Sequence, residues 1–215
     1  MKRLVLSAVV LAACAGLAAA QPQLKPEQIQ RHARLDVTVP DFPAEGLILD
    51  IGGGGEGVIA QLKGKQVIAI DLSKRELDEV PAASDPLLKI VMDARDLKFV
   101  DRSFVTATVF FTFMYIDPAD HAKVFQEIHR VLKPGGRLLV WDPVFPPKDD
   151  PGRVAILFPV RATLPRTVIT TGYGVPFREG QGAGHFVGLA KAAGFQIVSR
   201  KDEQGWFMLE MKKAD

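Results

Sequence analysis

A run of four consecutive glycines directly after a short apolar stretch constrains this chain more than any other feature of its sequence. Residues 47–51 read LILDI, and residues 52–57 read GGGGEG. An apolar run that breaks into glycine is typical of a buried parallel strand that feeds a tight turn and then a helix. Because glycine removes the side chains where a ligand would approach the backbone, the pattern predicts a ligand-binding loop. A flexible turn without a ligand is the alternative.

Acidic residues beside this loop indicate which ligand it would bind. The glycines also spell G-x-G-x-x-G, and Asp71 lies nineteen residues after Gly52, as in dinucleotide-binding loops. Asp50 precedes the glycines and Glu56 lies among them, so both would repel a pyrophosphate. S-adenosylmethionine (SAM) carries an ammonium and a sulfonium, has no phosphate, and still offers a ribose to Asp71. The charges therefore favour SAM, and a nicotinamide dinucleotide is the alternative.

Residues 1–20 read as an export signal rather than as part of the fold. Two basic residues precede an apolar run too short to span a bilayer, and three alanines form a small-residue cleavage site. Cys14, the only cysteine, closes a Leu-Ala-Ala-Cys stretch that resembles the bacterial lipobox. We therefore expect export to the periplasm or cell envelope, with plain secretion and a lipid on Cys14 both open. A cytoplasmic location is the alternative.

The charge balance excludes some partners. The chain has 27 basic and 25 acidic residues over its 215 positions, and residues 1–20 hold two of the basic ones and none of the acidic ones. The rest of the chain is then neutral, which gives no electrostatic case for nucleic acid or for anionic lipid. We divide it into a polar tether or cover segment, residues 21–43, with a short helix over residues 26–35, and one domain over residues 44–215.

Apolar runs and polar periodic segments alternate along this domain. Strands are predicted over residues 47–51, 66–70, 87–92, 105–111, 137–141, 195–200 and 205–211. Helices are predicted over residues 58–62 and 184–193, and after the cap Asp117 with Pro118 at its first position. This alternation predicts a parallel sheet with helices on both faces, whose ligands bind beyond the carboxyl ends of the strands. Four acids fall at such ends, namely Asp50, Asp71, Asp93 and Asp142.

Four motifs, in order, resemble the class I SAM-dependent methyltransferases of the group called methyltransferase type 11. They are LDIGGGG at residues 49–55, VIAIDLS at 67–73, MDARDLKF at 92–99 and EIHRVLKPGGRLLVWDP at 127–143. The resemblance covers residues 47–143. It implies an α/β fold with a Rossmann-like doubly wound sheet of seven strands, mostly parallel with the last strand antiparallel. It departs from the family at Glu56, where a third glycine is usual.

The resemblance also implies a set of site residues. The expected cofactor-binding residues are Asp50, Gly52, Gly53, Gly54, Asp71, Leu72, Asp93, Ala94 and Phe110. The expected substrate pocket consists of Phe111, Met114, Tyr115 and Asp142. Because the sulfonium methyl is already activated, the protein mainly aligns the acceptor, and a base is needed only if the acceptor must lose a proton. Among Tyr115, a solvated His121, Asp142 and His185, we expect Tyr115 to be catalytic. Four scattered histidines predict no metal site.

Residues 143–176 hold seven prolines and are too long for a plain connection. We expect a lid or substrate-binding insertion. A dimer contact through Ile156, Leu157 and Phe158 is the alternative, so the chain would be a monomer or a homodimer. The predicted function is methylation of a small molecule. A non-catalytic methyltransferase-fold binding protein of the cell envelope is the alternative, because SAM is not expected outside the cytosol. We expect Gly54→Val to abolish cofactor binding in a domain that stays folded.

Overall fold

The computed structural model describes residues 24–84 and 86–214, so the expected export signal and Cys14 lie outside the described residues. The strands are β1 (Ile29–Arg31), β2 (Leu35–Thr38), β3 (Ile48–Ile51), β4 (Val67–Asp71), β5 (Leu88–Val91), β6 (Phe104–Phe110), β7 (Leu132–Pro143), β8 (Ala155–Thr163), β9 (Val168–Pro176), β10 (Phe195–Glu203) and β11 (Trp206–Lys213). The α-helices are α1 (Val58–Lys63), α2 (Lys74–Glu79), α3 (His121–Val131) and α4 (Ala183–Ala192).

The main sheet has seven strands in the order β10-β11-β7-β6-β3-β4-β5. β3 pairs in parallel with β4 and β6, β4 with β5, and β6 with β7. β11 runs antiparallel to both of its neighbours. This confirms the predicted mostly parallel sheet with an antiparallel last strand. The chain order reverses between β3 and β6, and ligands of such sheets bind at this switch point.

Each face of this sheet is covered by a different kind of layer. On one face pack α3 and α4, and the apolar stripe of α3 is fully buried. Its members are Val124, Phe125, Ile128 and Val131, and Leu132, the first residue of β7, is buried beside them. The other face packs against α1 and a second sheet. Asp117 caps the turn Pro118–Asp120 that leads into α3, as expected, by accepting a hydrogen bond from Ala119 N.

The second sheet joins the amino-terminal segment to the proline-rich segment. β8 pairs antiparallel with β9 and parallel with both β1 and β2. The predicted short helix over residues 26–35 is therefore wrong, because only the 3₁₀ turn Pro26–Gln28 is helical there. In β2, Leu35 and Val37 are buried and alternate with exposed residues, which is the period of a strand.

The apolar residues of β8 belong to the interior of the chain itself. Ile156 and Phe158 are fully buried in the core between the two sheets. Ile156 and Phe158 are therefore not available for the alternative dimer contact. Leu157 is partly exposed, so the choice between a monomer and a homodimer stays a prediction.

Candidate active site

The glycine loop is held against its neighbours by its own backbone. The amides of Gly52 and Gly53 both donate to the carbonyl of Ile70, at 2.8 and 3.0 Å. The amide of Gly55 donates to the carbonyl of Glu76 at 2.8 Å. These amides connect the loop to the end of β4 and to α2.

Close packing of protein atoms requires glycine within the loop. A Cβ atom at position 54 would lie 2.6 Å from Cβ of Glu76 and 3.0 Å from Oδ2 of Asp71. At position 52, where φ is +70°, a Cβ atom would collide with the side chain of Thr112. We expected the close approach at these glycines to be made by a ligand. The nearest atoms are those of α2, Asp71 and Thr112, so the fold itself requires Gly52 and Gly54.

Two carboxylates adjoin this loop at the carboxyl ends of neighbouring strands. Asp50 is buried, and its Oδ1 accepts a hydrogen bond of 2.7 Å from the hydroxyl of Thr108. Burial, with a smaller contribution from the nearby charge of Asp71 and against the lowering effect of the Thr108 hydrogen bond, raises the pKa of Asp50 to about 7. The carboxylate of Asp71 accepts a hydrogen bond of 2.8 Å from Ser73 N. Burial also raises the pKa of Asp71.

The third strand-end acid, Asp93, is already paired. Its two oxygens accept hydrogen bonds of 2.7–3.0 Å from the guanidinium of Arg95, which also bonds Asp120 at 2.7 Å. The hydrogen bonds from Arg95 lower the pKa of Asp93. Leu72, next to Asp71, is 51 % exposed, whereas Phe110 is buried against Trp141, with 6.3 Å between ring centroids.

Glu56 connects the glycine loop to the second sheet. Its carboxylate accepts hydrogen bonds from the hydroxyls of Thr171 and Tyr173, the latter at 3.2 Å. The Tyr173 ring stacks on Phe111, with 5.5 Å between centroids. Sequence reasoning missed Thr171 and Tyr173, since no motif marks residues that meet the loop from more than a hundred positions away. The acid that departs from the family motif thus anchors β9 at the loop.

The expected substrate residues after β6 divide into a buried and an exposed group. Phe111 and Met114 lie in the core, whereas Tyr115 is 43 % exposed. Burial of the hydroxyl raises the pKa of Tyr115, followed by the charges of Glu56, Glu76, Asp142 and Asp71. A tyrosine with a raised pKa keeps its proton, so Tyr115 can donate a hydrogen bond but is a poor base.

Asp142 is buried near the end of β7. Its Oδ2 accepts a hydrogen bond of 3.0 Å from Phe113 N, the first residue of the turn Phe113–Tyr115. Burial raises the pKa of Asp142 well above its usual range, against the lowering effect of the backbone amides of that turn. Asp142 therefore fixes the turn that presents Tyr115.

The expectation of a solvated His121 is wrong, because this side chain is completely buried. Its Nε2 lies 3.1 Å from the carbonyl oxygens of Phe113 and Ile116, and its Nδ1 lies 3.0 Å from Nε2 of His185. Since carbonyls only accept, Nε2 of His121 carries the hydrogen, and His185 donates to Nδ1. Burial lowers the pKa of both rings. The pair joins α4 to the turn that carries Tyr115.

Within the described part of the chain, no group of three His, Cys, Asp or Glu side chains is arranged to hold a metal ion. No helix in residues 24–84 and 86–214 is both long and apolar enough to cross a membrane.

Comparison with known proteins identifies the class to which this architecture corresponds. Residues 49–140 match the family model of the methyltransferase domain. The ubiquinone/menaquinone biosynthesis C-methyltransferase UbiE of Desulfotalea psychrophila is 34 % identical over 129 residues, which are 57 % of this chain and 51 % of that protein. The chain spans about half the length of the curated relatives it matches.

Solved structures share the fold at low sequence identity. A SAM-dependent methyltransferase from Methanosarcina mazei has a TM-score of 0.56 at 22 % identity, over 80 % of this chain and 94 % of that one. The glycopeptide N-methyltransferase MtfA, complexed with S-adenosylhomocysteine (SAH), has a TM-score of 0.54 at 15 % identity, over 80 % and 83 %.

The family match over residues 49–140 and the fold together support a class I methyltransferase domain with SAM as its cofactor. The predicted cofactor is thereby confirmed. The site fits this molecule, because carboxylates at Asp50 and Asp71 suit a ligand with an ammonium and a ribose and disfavour a pyrophosphate.

Proposed function

We propose that this protein transfers the methyl group of SAM to a small-molecule acceptor. The observation that carries the proposal is the pair of carboxylates, Asp50 and Asp71, beside the glycine loop at the switch point of the sheet. The relative named for ubiquinone/menaquinone biosynthesis supports a small-molecule acceptor.

Specific residues would hold the cofactor. Asp71 would bind the ribose hydroxyls, and Asp50 with the loop glycines would face the methionine part. Leu72, Asp93 and Ala94 would lie on the adenine side, and Phe110 would support them from the core. SAM supplies a methyl group that needs no further activation. The chain would orient the acceptor, hold β9 over the loop through Glu56, and donate a hydrogen bond from Tyr115.

A radiolabel experiment tests the proposal. The full-length protein is incubated with SAM labelled in its methyl group and with a small-molecule extract of the source cells. We expect label to enter the extract, and Asp71→Ala to reduce this transfer strongly at SAM concentrations below saturation. SAH binding without any transfer would instead favour a non-catalytic methyltransferase-fold protein of the cell envelope. The resemblance of residues 1–20 to an export signal is the reason for this alternative.

We also propose that residues 1–20 direct export, on the basis of their basic start, apolar run and small-residue end. Labelling cells with a fatty-acid analogue and sequencing the amino terminus tests both forms of this proposal. Label that disappears in Cys14→Ala indicates a lipoprotein. An unlabelled protein starting at Gln21 indicates plain secretion, and one that keeps Met1 contradicts export.

A further inference from the structure

Buried polar atoms without a partner are concentrated near the carboxyl end of β7. Among the described residues they are Oδ1 of Asp142, Nε of Arg178, and both Oε1 and Nε2 of Gln181. Asp142 is completely buried and Gln181 is 4 % exposed. Buried polar atoms are nearly always hydrogen-bonded in native proteins, because an unsatisfied atom retains its cost of desolvation. Their concentration in one place therefore marks a site.

Asp142 and Gln181 are neighbours, but neither provides a hydrogen-bond partner for the other. The amide of Gln181 is close enough to lower the pKa of Asp142, yet the geometry makes no hydrogen bond between them. Oδ2 of Asp142 is occupied by Phe113 N, so Oδ1 remains available. Gln181 lines a cavity of about 40 Å³ together with Pro118, Glu179, Gly180 and His185.

His185 adds a further acceptor to this cavity. Its Nε2 donates to His121, as derived above, so the neutral ring keeps a lone pair on Nδ1. The cavity is lined by this imidazole and by Gln181, whose amide both donates and accepts, and the carboxyl of Asp142 adjoins Gln181 beside it. It lies at the same edge of the main sheet as Asp50 and Asp71, beside the turn Phe113–Tyr115.

We propose that Asp142 and Gln181 hold the polar end of the methyl acceptor, and that this end is a neutral hydroxyl group. A hydroxyl can donate to Oδ1 of Asp142 and accept from Nε2 of Gln181 at the same time. An anionic group would meet the carboxylate of Glu179 in the cavity lining, and an ether could not donate to Oδ1 of Asp142. The proposal rests on the proposed function, since it assigns the cavity to the acceptor of the same reaction.

Thermal unfolding of two buried glutamine variants separates a ligand site from a structural role. Gln30 is also buried, but its amide donates to Pro147 O at 3.1 Å and accepts from Asp149 N at 2.9 Å. We expect Gln30→Met to lower the Tm, because it leaves both partners unsatisfied. Gln181→Met should maintain or raise the Tm, since it removes two unsatisfied atoms. A fall in Tm as large as that of Gln30→Met would overturn the proposal.

Fluorine NMR with three matched probes tests the ligand class. The probes are 4-fluorophenol, 4-fluoroanisole and 4-fluorobenzoate, added to the full-length protein saturated with SAH. We expect only the phenol to bind, and Gln181→Met to weaken its binding by about tenfold or more. Gln126→Met, which alters an exposed glutamine of α3, should bind the phenol as the unmodified protein does.

The outcomes distinguish this inference from the proposed function. If SAH binds but the three probes bind alike, or none binds, the hydroxyl subsite is wrong while the cofactor assignment stands. Phenol binding that Gln181→Met leaves intact would likewise overturn the subsite. If SAH itself does not bind, the proposed function fails first.

Discussion

At the scale of single residues, Asp71 and Asp93 lie at the carboxyl ends of neighbouring strands but differ in the hydrogen bonds that they already accept within the protein. Asp71 accepts a backbone hydrogen bond and has oxygen lone pairs to spare, whereas Asp93 is occupied by the guanidinium of Arg95. A carboxylate with spare capacity can grip two ribose hydroxyls, and such charge-assisted hydrogen bonds are among the stronger ones in proteins. The two acids should therefore contribute unequally to cofactor affinity.

We expect Asp71→Ala to weaken SAH binding by about 1 to 3 kcal/mol, because two charge-assisted hydrogen bonds are lost. Asp93→Ala should weaken SAH binding by less than about 1 kcal/mol, because the guanidinium of Arg95 already occupies much of that carboxylate. Isothermal titration of both variants with SAH measures the difference. A larger loss for Asp93→Ala would reverse the assignment of the two acids.

Asp50 should make folding stability depend on pH. Its pKa is raised to about 7 in the folded protein, so between pH 4 and 7 the folded state holds a proton that the unfolded state has lost. The free energy of unfolding should therefore fall as pH rises through this window, by up to about 4 kcal/mol. Denaturant unfolding at several pH values measures this fall in the free energy of unfolding.

The Asp50→Asn variant provides the control for this titration. Without a carboxyl at position 50, the decline between pH 4 and 7 should become less steep, because Asp50 no longer has to ionise while the buried Asp142 still contributes. The cofactor's ammonium favours the ionised form of Asp50, so SAH binding near pH 6.5 should also release protons in the unmodified protein and fewer in the variant. An equally steep decline in the variant would show that another group is responsible.

At the scale of elements, the glycine loop and α2 form one packed unit. The Gly55 amide bonds α2, and Gly54 lies where any side chain would touch Glu76. This changes the expectation for Gly54→Val, because a β-branched side chain would displace α2 as well as obstruct the ligand. Stability and binding should be lost together.

The Gly54→Ala variant isolates this effect with the smallest possible side chain. We expect it to destabilise the fold by about 1 to 3 kcal/mol, because its Cβ atom would lie 2.6 Å from Cβ of Glu76. Gly188→Ala in α4 is the control, since a Cβ atom there has no neighbour within 4 Å and alanine favours helix. Calorimetric melting compares the two. A Gly54→Ala protein that melts as high as Gly188→Ala would contradict the packing.

At the scale of the whole molecule, the main sheet was predictable and the second sheet was not. β3, β4 and β6 are apolar runs that are largely buried on both faces, and the acids Asp50 and Asp71 marked the ends of β3 and β4. β1 and β2 are three and four residues long and pair with a strand more than a hundred positions away. No local pattern specifies such a pairing.

The candidate site was predictable to the same uneven degree. Motifs marked the strand-end acids and the glycines, because those residues stand at or just after strands that are visible in the sequence as apolar runs. α2 went unpredicted, since Leu77 is its one buried residue and no apolar stripe marks the helix. The burial of His121 depends on carbonyls of a turn whose position only the fold sets. The unsatisfied pair of Asp142 and Gln181 likewise arises from packing.

The central claim, a SAM site rather than a dinucleotide site, is tested most directly by one calorimetric comparison. The full-length protein is titrated with SAH and, separately, with NADH at pH 7.5. Asp50, Glu56, Asp71 and Glu76 surround the loop, so a pyrophosphate should be repelled and a ligand with an ammonium attracted. We expect saturable binding of SAH and none of NADH. Saturable binding of NADH without a response to SAH would contradict the account.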